Sequence, residues 1–300
     1  MEKTIIFDQY SRYKVCSDLL LKISPNGGTV LDVGSGEECL LGKFLPNFEI
    51  TYVDPLLSLR AERSGNKIAG DVFVKDLDGQ SFDYVVSVDT LEHIPIDARN
   101  AFLVRVSSLS RKGIILACPC SDAGDAVETD RWLNEVYKIS RGADFSWLKE
   151  HREYGLPKLS ETLKKFTELG WRTGVIQNGH TPWLRELLGF ILCGLDVPSL
   201  QPAIMELSEY FNRYLYPFDH HPPCYRQVVV AEKKRIPPLG MKITGVSKEK
   251  AVHAWEHVQK RIHAYSTRVA YLQEAQISEQ KLLAVRLREE LQQKDETLRV

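Results

Sequence analysis

Short apolar runs alternate with amphipathic stretches over most of the chain. A short apolar run bounded by polar residues is typical of a buried strand, whereas apolar residues three and four positions apart are typical of a helix. The apolar runs lie at residues 30–33, 49–54, 82–88, 113–118, 171–177 and 225–231. Helical spacing is found between several of them, as at residues 97–109 and 160–169. This alternation predicts an α/β fold with a doubly wound sheet.

The first apolar run ends in two glycines that indicate a bound ligand. Val33 leads directly into Gly34, Ser35 and Gly36. A Cβ atom at such a turn would obstruct both the backbone conformation and the close approach of a ligand, so glycine is favoured there. A plain strand-to-helix turn can also carry two glycines, and the next strand decides between the two interpretations.

The second apolar run ends in a carboxylate that favours a nucleoside ligand. Asp54 follows Gly34 by about 20 residues, the spacing at which an acidic side chain can accept hydrogen bonds from ribose hydroxyls. A dinucleotide site would need a third glycine where Cys39 stands, and Glu37 and Glu38 would repel a pyrophosphate. S-adenosylmethionine carries no phosphate, and its positive charge suits nearby carboxylates. The charge pattern therefore disfavours nicotinamide cofactors.

The fourth segment of interest is the strand at residues 82–88 with the sequence Leu91-Glu92-His93-Ile94 after it. With these segments the chain resembles the class I S-adenosylmethionine-dependent methyltransferases, in the type 11-like group that has a Leu-Glu-His-Ile signature. The resemblance is strongest over residues 28–120 and extends more loosely to residue 234. It implies a seven-stranded Rossmann-like sheet whose last two strands form an antiparallel pair.

The resemblance also implies which residues bind the cofactor. Asp32 and the glycine turn would line the methionine end, Asp54 would bind the ribose, and Asp71 after the third strand would meet the adenine. The N-terminal segment with Tyr10 and Arg12 would fold over the cofactor, although an ordinary helix surface explains it equally well. The full implied set is Tyr10, Arg12, Asp32, Gly34, Ser35, Gly36, Asp54, Pro55, Asp71, Val72, Asp89 and Thr90.

Two histidines are candidates for the base that a hydroxyl acceptor requires. A positioned base near neutral pKa contributes about 10² to 10⁴ in rate. His93 follows the carboxyl end of the fourth strand, where open α/β sheets bind ligands, and Glu92 could orient it. A satisfied histidine in the cofactor wall is the alternative for His93. His151 lies in a loop-like stretch at residues 147–157, where a surface histidine is the alternative.

The same residues allow a metal hypothesis. Asp89, Glu92 and His93 are similar to the acid-x-x-Glu-His segment with which ubiquinone-pathway and small-RNA 2′-O-methyltransferases hold magnesium, and His151 could add a fourth ligand. Magnesium prefers oxygen ligands, so two histidines would be unusual. We therefore expect catalysis without a metal.

Composition agrees with a soluble enzyme. The 300 residues are 43% hydrophobic, enough to bury a full core and leave an appendage. A net charge of −1 argues against a protein that holds long nucleic acid. With no leader-like or membrane-spanning apolar run, we expect a cytoplasmic location. The cysteines lack zinc-site spacing, and we expect reduced, buried thiols at positions 16, 39, 118, 120, 193 and 224.

The pattern predicts three parts along the chain. Residues 1–234 form the methyltransferase domain, in which residues 179–224 are a helical insertion before the last strand that builds the acceptor site or a lid. The apolar stretch 183–192 in this insertion fits a buried lid helix better than a membrane contact. Residues 235–246 form a linker, and residues 247–300 form a long helix.

The C-terminal stretch has apolar residues at heptad spacing. Trp255, Val258 and Ile262 begin the stripe, which resumes after a slip near Gln276 and reaches Leu298. At 1.5 Å per residue the helix would be about 80 Å long. We expect a coiled coil through which the chain self-associates or binds a partner helix, and packing back on its own domain is the alternative.

The function expected from these features is O-methylation of a saccharide or small-molecule hydroxyl. The segment Glu150-His151 followed by Tyr154-Gly155-Leu156-Pro157, with the coiled coil, is similar to modules that accompany bacterial surface-polysaccharide glycosyltransferases. A binding or scaffolding module that retains the fold without turnover, in a polysaccharide biosynthesis complex, is the alternative.

Overall fold

The structure is a computed structural model in which two compact units, Met1–Ala254 and Trp255–Val300, are distinguished. The residues that it describes are 4–57, 66–236, 238–240 and 245–267. Residues 248–267 are helical, which agrees with the start of the predicted C-terminal helix. The later heptad positions, from Val269 to Leu298, lie outside the described residues, so the coiled coil stays a prediction.

A seven-stranded sheet forms the centre of the first unit. Its strands are β1 (Gly28–Val33), β2 (Phe48–Asp54), β3 (Lys67–Ala69), β4 (Phe82–Val88), β5 (Ser110–Pro119), β6 (Arg172–His180) and β7 (Cys224–Glu232). Their order is β3-β2-β1-β4-β5-β7-β6, and β7 runs antiparallel to both β5 and β6. The predicted sheet with a final antiparallel pair is therefore confirmed.

Helices connect the strands and cover both faces of the sheet. They are α1 (Phe7–Ile23), α2 (Leu41–Phe44), α3 (Ile96–Leu109), α4 (Ala126–Arg141), α5 (Ser146–Tyr154), α6 (Leu159–Glu168), α7 (Thr181–Gly194) and α8 (Gln201–Tyr210). The predicted helical insertion is confirmed, since α7 and α8 lie between β6 and β7. In the described part of the chain, no helix combines the length and apolar character needed to cross a bilayer.

Alternating side chains of the strands build two hydrophobic cores, one on each face. In β1, Val30 belongs to the core that includes Leu19 of α1. Leu31, the next residue, belongs to the other core with Val106 of α3 and Phe166 of α6. Because β1, β2, β4 and β5 are parallel, their carboxyl ends meet at one edge, where ligands bind in open α/β sheets.

The segment between β5 and α6 differs from the sequence-based expectation. Residues 147–157 are mostly helical, because α5 spans Ser146–Tyr154 and ends before Gly155, whose φ is +67°. The loop-like interpretation was therefore wrong. Helix α4 was not predicted from the sequence, and its buried face combines Leu133 with polar side chains such as Thr129, Asp130 and Asn134.

The cysteines follow their prediction with one exception. All six are free thiols, and five of them are buried. Cys193, in α7, is only partly buried. Cys118 and Cys120 end β5 around a proline, and their sulfur atoms are 3.9 Å apart.

Candidate functional site

The glycine turn after β1 leaves room on one side only. Gly34 has φ of +76° and Gly36 has φ of +62°, a region that side chains rarely adopt. A Cβ atom on Gly34 would lie 2.1 Å from Oγ1 of Thr90, whereas a Cβ atom on Gly36 would meet no atom of the described residues within 4 Å. Gly34 therefore permits contact with the turn after β4, and Gly36 borders open space that a ligand can occupy.

Two carboxylates flank this turn. Asp54 accepts hydrogen bonds from the backbone N–H of Gly36 at 2.8 Å and of Leu56 at 2.7 Å. Each carboxylate oxygen has a second lone pair, so Asp54 can still accept ribose hydroxyls. Asp32 is fully buried, and neither of its oxygens has a partner among the described residues.

Asp32 is set up for a cationic ligand group. Its burial, with the negative charge of Asp54 as a second cause, raises its pKa to about 8. A buried carboxylate without a partner is costly, and a positive ligand group would relieve that cost. An open space beside Gly36, an unpartnered Asp32 and a free face on Asp54 together fit S-adenosylmethionine.

The adenine end that the sequence predicts is only partly enclosed. Asp71 is exposed, and its Oδ1 accepts a hydrogen bond from the Phe73 N–H at 2.8 Å. Val72 is buried, and Phe73 is 51% exposed. Pro55 is exposed beside Asp54, while Ser35 is buried in the glycine turn. These residues lie at the carboxyl ends of β1, β2 and β3, as the resemblance implied.

A buried ionic cluster links the residue that follows β4, Asp89, to Arg226 of β7. Arg226 Nε donates to both oxygens of Asp89, at 2.9 and 2.7 Å, and its Nη2 donates to Asp8 at 2.7 Å. Arg12 Nη1 donates to Asp89 at 3.2 Å. Burial opposes the charge on Arg226, but the two carboxylates outweigh it and its pKa is raised well above the usual value. The cluster fastens α1 to the sheet.

Three of the predicted cofactor residues therefore have structural roles. Asp89 and Arg12 belong to the ionic cluster, and Asp89 has φ of +46°, an uncommon value for a non-glycine residue. Tyr10 packs edge-on against Phe44 and Tyr216, at 5.5 and 5.3 Å between ring centroids. Arg12 and Arg226 both hold the Asp89 carboxylate, one of the four residues of the alternative magnesium hypothesis.

The side chains of Glu92, His93 and His151 lie close together next to the turn that follows β4. Thr90, which Gly34 contacts, precedes a 3₁₀ turn at Leu91–His93 that carries Glu92 and His93. Ligand atoms of Glu92, His93 and His151 all lie within 4.8 Å of one another. The structure thus brings together the three residues that the sequence proposed for catalysis.

Each histidine of this group has a carboxylate partner at Nδ1. The distance is 2.9 Å from His93 to Glu150 Oε2 and 2.8 Å from His151 to Asp130 Oδ2. His151 is 7% exposed, so it is not the surface histidine that the sequence left open. Its Nε2 has no partner among the described residues.

Burial sets the protonation of the group. Burial, followed by the nearby charge of His151, lowers the pKa of His93. Burial, followed by the negative charge of Asp89, raises the pKa of Glu92 well above its usual value. His93 is therefore favoured as a neutral imidazole and Glu92 as a neutral acid. Trp147, which is 46% exposed, packs its ring 4.9 Å from that of His93 and forms an apolar wall of the site.

The return of the insertion is a structural junction. Asp219 is buried and accepts hydrogen bonds from Ser11, Asn178 and the backbone N–H of His180. Burial raises its pKa to about 6. His220 Nδ1 contacts the Gln177 carbonyl at 3.2 Å. The segment that begins at Asp219 thus ties α1 to β6.

Asp130, Tyr225 and Arg226, which hold His151 and Asp89 in place, were not identified from the sequence. Tyr225 and Arg226 belong to a strand that was predicted, yet their partners are 95 and 137 residues away in the chain. No local signal connects residues at that separation. Asp130 could have been suspected only if helix α4 had been recognised.

Comparison with known proteins places this geometry in a family. Residues 7–186 match the family described as methyltransferase domain, and no curated protein matches the chain. Because the matched region is more than half of the chain, the chain belongs to this family of methyltransferase domains. The predicted class is therefore confirmed.

Similar solved structures include other methyltransferases. One is the 1,6-didemethyltoxoflavin-N1-methyltransferase of Burkholderia thailandensis with its substrate 1,6-didemethyltoxoflavin and S-adenosylhomocysteine bound, at 17% identity over 76% of this chain and 80% of that one, with a TM-score of 0.43. A second is an S-adenosylmethionine-dependent methyltransferase of Archaeoglobus fulgidus, at 17% identity, 74% and 94% coverage, and a TM-score of 0.43. A third is the magnesium protoporphyrin IX methyltransferase of Synechocystis with S-adenosylhomocysteine, at 16% identity, 76% and 85% coverage, and a TM-score of 0.41. At these values they carry no argument about the substrate.

Proposed function

We propose that this chain is an S-adenosylmethionine-dependent methyltransferase that acts on a hydroxyl group of a saccharide or another small molecule. The observation that carries the proposal is the group of Glu92 and His93, on the turn that follows Thr90, with His151 of α5. A proton-accepting group is thereby placed next to the predicted cofactor site.

The cofactor would be held by residues of β1 and β2. Asp54 offers lone pairs to ribose hydroxyls, Asp32 faces a positive group, and Gly36 leaves the space open. When bound, S-adenosylmethionine supplies an electrophilic methyl group. Methyl transfer then depends chiefly on holding the acceptor oxygen in line with that methyl group.

The acceptor side requires a proton to be removed. A neutral imidazole accepts a proton, and the lowered pKa of His93 shows that this environment favours the neutral form. Two imidazoles and one carboxyl group would be a poor site for magnesium, which prefers oxygen ligands. We therefore propose proton transfer to a histidine without a metal ion, as the sequence led us to expect.

A saccharide acceptor is supported by the shape of the rim. Trp147 is half-exposed and stands against His93, so that an apolar sugar face could lie on its ring while a hydroxyl points to the histidines. The resemblance to modules that accompany polysaccharide glycosyltransferases points in the same direction. The inactive scaffold is disfavoured, since a module without turnover would not need a buried Asp32 and a histidine pair at this edge.

The first experiment is a calorimetric titration with S-adenosylmethionine. Asp54→Ala should weaken binding at least tenfold, because a hydrogen bond to a charged group is worth about 1.5–3 kcal/mol. Asp196→Ala, a carboxylate whose side chain is 82% exposed on the insertion, is the matched control and should bind as the wild type does. Unchanged affinity of Asp54→Ala would remove this residue from the site.

The second experiment measures turnover. Transfer of a labelled methyl group to a panel of mono- and oligosaccharides should yield a base-stable methyl ether, as expected for O-methylation. Binding of the cofactor with no transfer to any hydroxyl acceptor would support the scaffold alternative.

A further inference from the structure

The two histidines beside Glu92 are held in different ways. His151 Nδ1 is 2.8 Å from Asp130 Oδ2, and the Tyr225 hydroxyl donates to the other oxygen of Asp130 at 2.5 Å. His151, Asp130 and Tyr225 are 7%, 5% and 5% exposed. They come from α5, α4 and β7, so three separate elements converge on one imidazole.

The other histidine has a partner near solvent. His93 Nδ1 lies 2.9 Å from Glu150 Oε2, with the side chains 22% and 37% exposed. Water screens charges at such a site, and exposed pairs contribute little. We therefore expect Glu150 to orient His93 and stabilise its charge less than Asp130 does for His151.

The hydrogen bonds define the tautomer of His151. A carboxylate that already accepts the Tyr225 proton can only accept again, so the imidazole must carry its hydrogen on Nδ1. Nε2 then has a free lone pair. This atom is buried and lacks a partner among the described residues, and its residue, His151, belongs to the group with Glu92 and His93.

We infer that His151 is the proton acceptor of the proposed reaction, and that Asp130 and Tyr225 are positioning residues that hold it for that task. The inference rests on the proposed function. In the step, the proton of the acceptor hydroxyl moves to His151 Nε2. The oxygen forms its bond to the methyl carbon as the methyl–sulfur bond breaks, and the sulfur keeps that electron pair. The imidazolium stays paired with Asp130 until it loses the proton to solvent.

The charged and titratable groups around His151 support this assignment. Asp130 of α4 is its carboxylate, Tyr225 of β7 hydrogen-bonds that carboxylate, and Glu92 and His93 face it from the 3₁₀ turn. Glu150 of its own helix is engaged with His93. Burial raises the pKa of Tyr225 well above its usual value, with Asp130 as the next cause, so the phenol stays a donor.

The experiment compares two equivalent changes, Asp130→Asn and Glu150→Gln. Each replaces a carboxylate next to a histidine Nδ1 by the amide of the same shape. Asp130→Asn should lower kcat at least tenfold and shift the acidic limb of the pH profile to lower pH, because the imidazolium loses its counter-charge. KM for the acceptor and the affinity for S-adenosylmethionine should change less than twofold. Glu150→Gln should change kcat less than threefold.

A purely structural role would give another result. It would lower the melting temperature of Asp130→Asn without moving the pH profile. Tyr225→Phe, which removes one hydrogen bond and no charge, provides a second variant if Asp130→Asn does not fold, and its kcat should fall about two- to tenfold. An equal or larger effect of Glu150→Gln, or an unmoved pH profile in Asp130→Asn, would overturn the inference.

Nitrogen NMR on histidine-labelled protein tests the same point without an acceptor. The His151 signals are assigned by their loss in His151→Gln. We expect an Nδ1–H tautomer of His151 in the wild type and in Glu150→Gln. An Nε2–H tautomer in the wild type would contradict the inference. Absence of cofactor binding would instead contradict the proposed function, so the two failures are distinguishable.

Discussion

The two glycines after β1, Gly34 and Gly36, have different surroundings, and an alanine substitution at each position should therefore have a different effect on stability. Both residues have positive φ, and an alanine in the left-handed region costs about 1–2 kcal/mol. In Gly36→Ala we expect this to be the whole cost, because the new Cβ meets none of the residues that the structure describes within 4 Å. We therefore expect Gly36→Ala to lower the free energy of unfolding by about 1–2 kcal/mol.

Gly34→Ala has a second cost. Its Cβ would lie 2.1 Å from Thr90 Oγ1 and 2.8 Å from Cγ2, so Thr90 must move. The hydroxyl of Thr90 then leaves the carbonyls of Val33 and Val88, which it now contacts at 3.3 and 3.2 Å. Overpacking typically costs about 1–3 kcal/mol and the hydrogen bond about 1 kcal/mol. Gly34→Ala should therefore destabilise the protein by about 3–6 kcal/mol.

Urea unfolding of the wild type, Gly36→Ala, Gly34→Ala and the double variant Gly34→Ala/Thr90→Ala tests these expected changes in the free energy of unfolding. Thr90→Ala in the Gly34→Ala background should restore about 1–2 kcal/mol, because the oxygen and methyl contacts are removed while the Thr90 Cβ still lies 3.0 Å away. Gly36→Ala should fold well and lose affinity for S-adenosylmethionine. Equal destabilisation by Gly34→Ala and Gly36→Ala, with no rescue by Thr90→Ala, would refute the reasoning.

Three further predictions concern other parts of the molecule. Burial raises the pKa of Glu232 from 4.5 to about 7. The folded protein therefore binds the carboxyl proton of Glu232 more tightly than the unfolded chain does. As pH rises from 4.5 through 7, this carboxyl group destabilises the fold. Glu232→Gln should therefore stabilise the protein by about 1–3 kcal/mol at pH 8 and by little at pH 4, as measured by urea unfolding at both pH values. Methyl transfer should survive exhaustive chelation of metal ions. If EDTA abolished methyl transfer and magnesium restored it, general-base catalysis without a metal would be wrong. The wild type should sediment as a dimer or larger and a truncation after Gly240 as a folded monomer, whereas a monomeric wild type at tens of micromolar would argue against self-association.

The sheet was predictable because its strands are continuous apolar runs that end in informative residues. The run before Gly34 and the carboxylate of Asp54 fixed both the order of the first strands and the edge at which a ligand binds. Central parallel strands are buried on both faces, so their pattern is simple. The seven-strand count, by contrast, came from the family resemblance.

The surroundings of the histidines were not predictable in the same way. Helix α4 buries polar residues, and Asp130 became informative only when its partners His151 and Tyr225 were placed beside it. Arg226 lies 218 residues from Asp8, with which it pairs. Buried ionic and hydrogen-bonded pairs of this kind join distant parts of the chain. The apolar periodicity of one segment therefore does not predict them.

The account's central claim is that the cofactor site and the histidine pair form one active site. A crystal structure with S-adenosylhomocysteine bound tests it most directly. We predict that the ribose hydroxyls lie on Asp54 and that the sulfur faces the group of Glu92, His93 and His151. A complex in which the sulfur faces away from that group, or failure to bind S-adenosylhomocysteine at saturating concentration, would contradict the account.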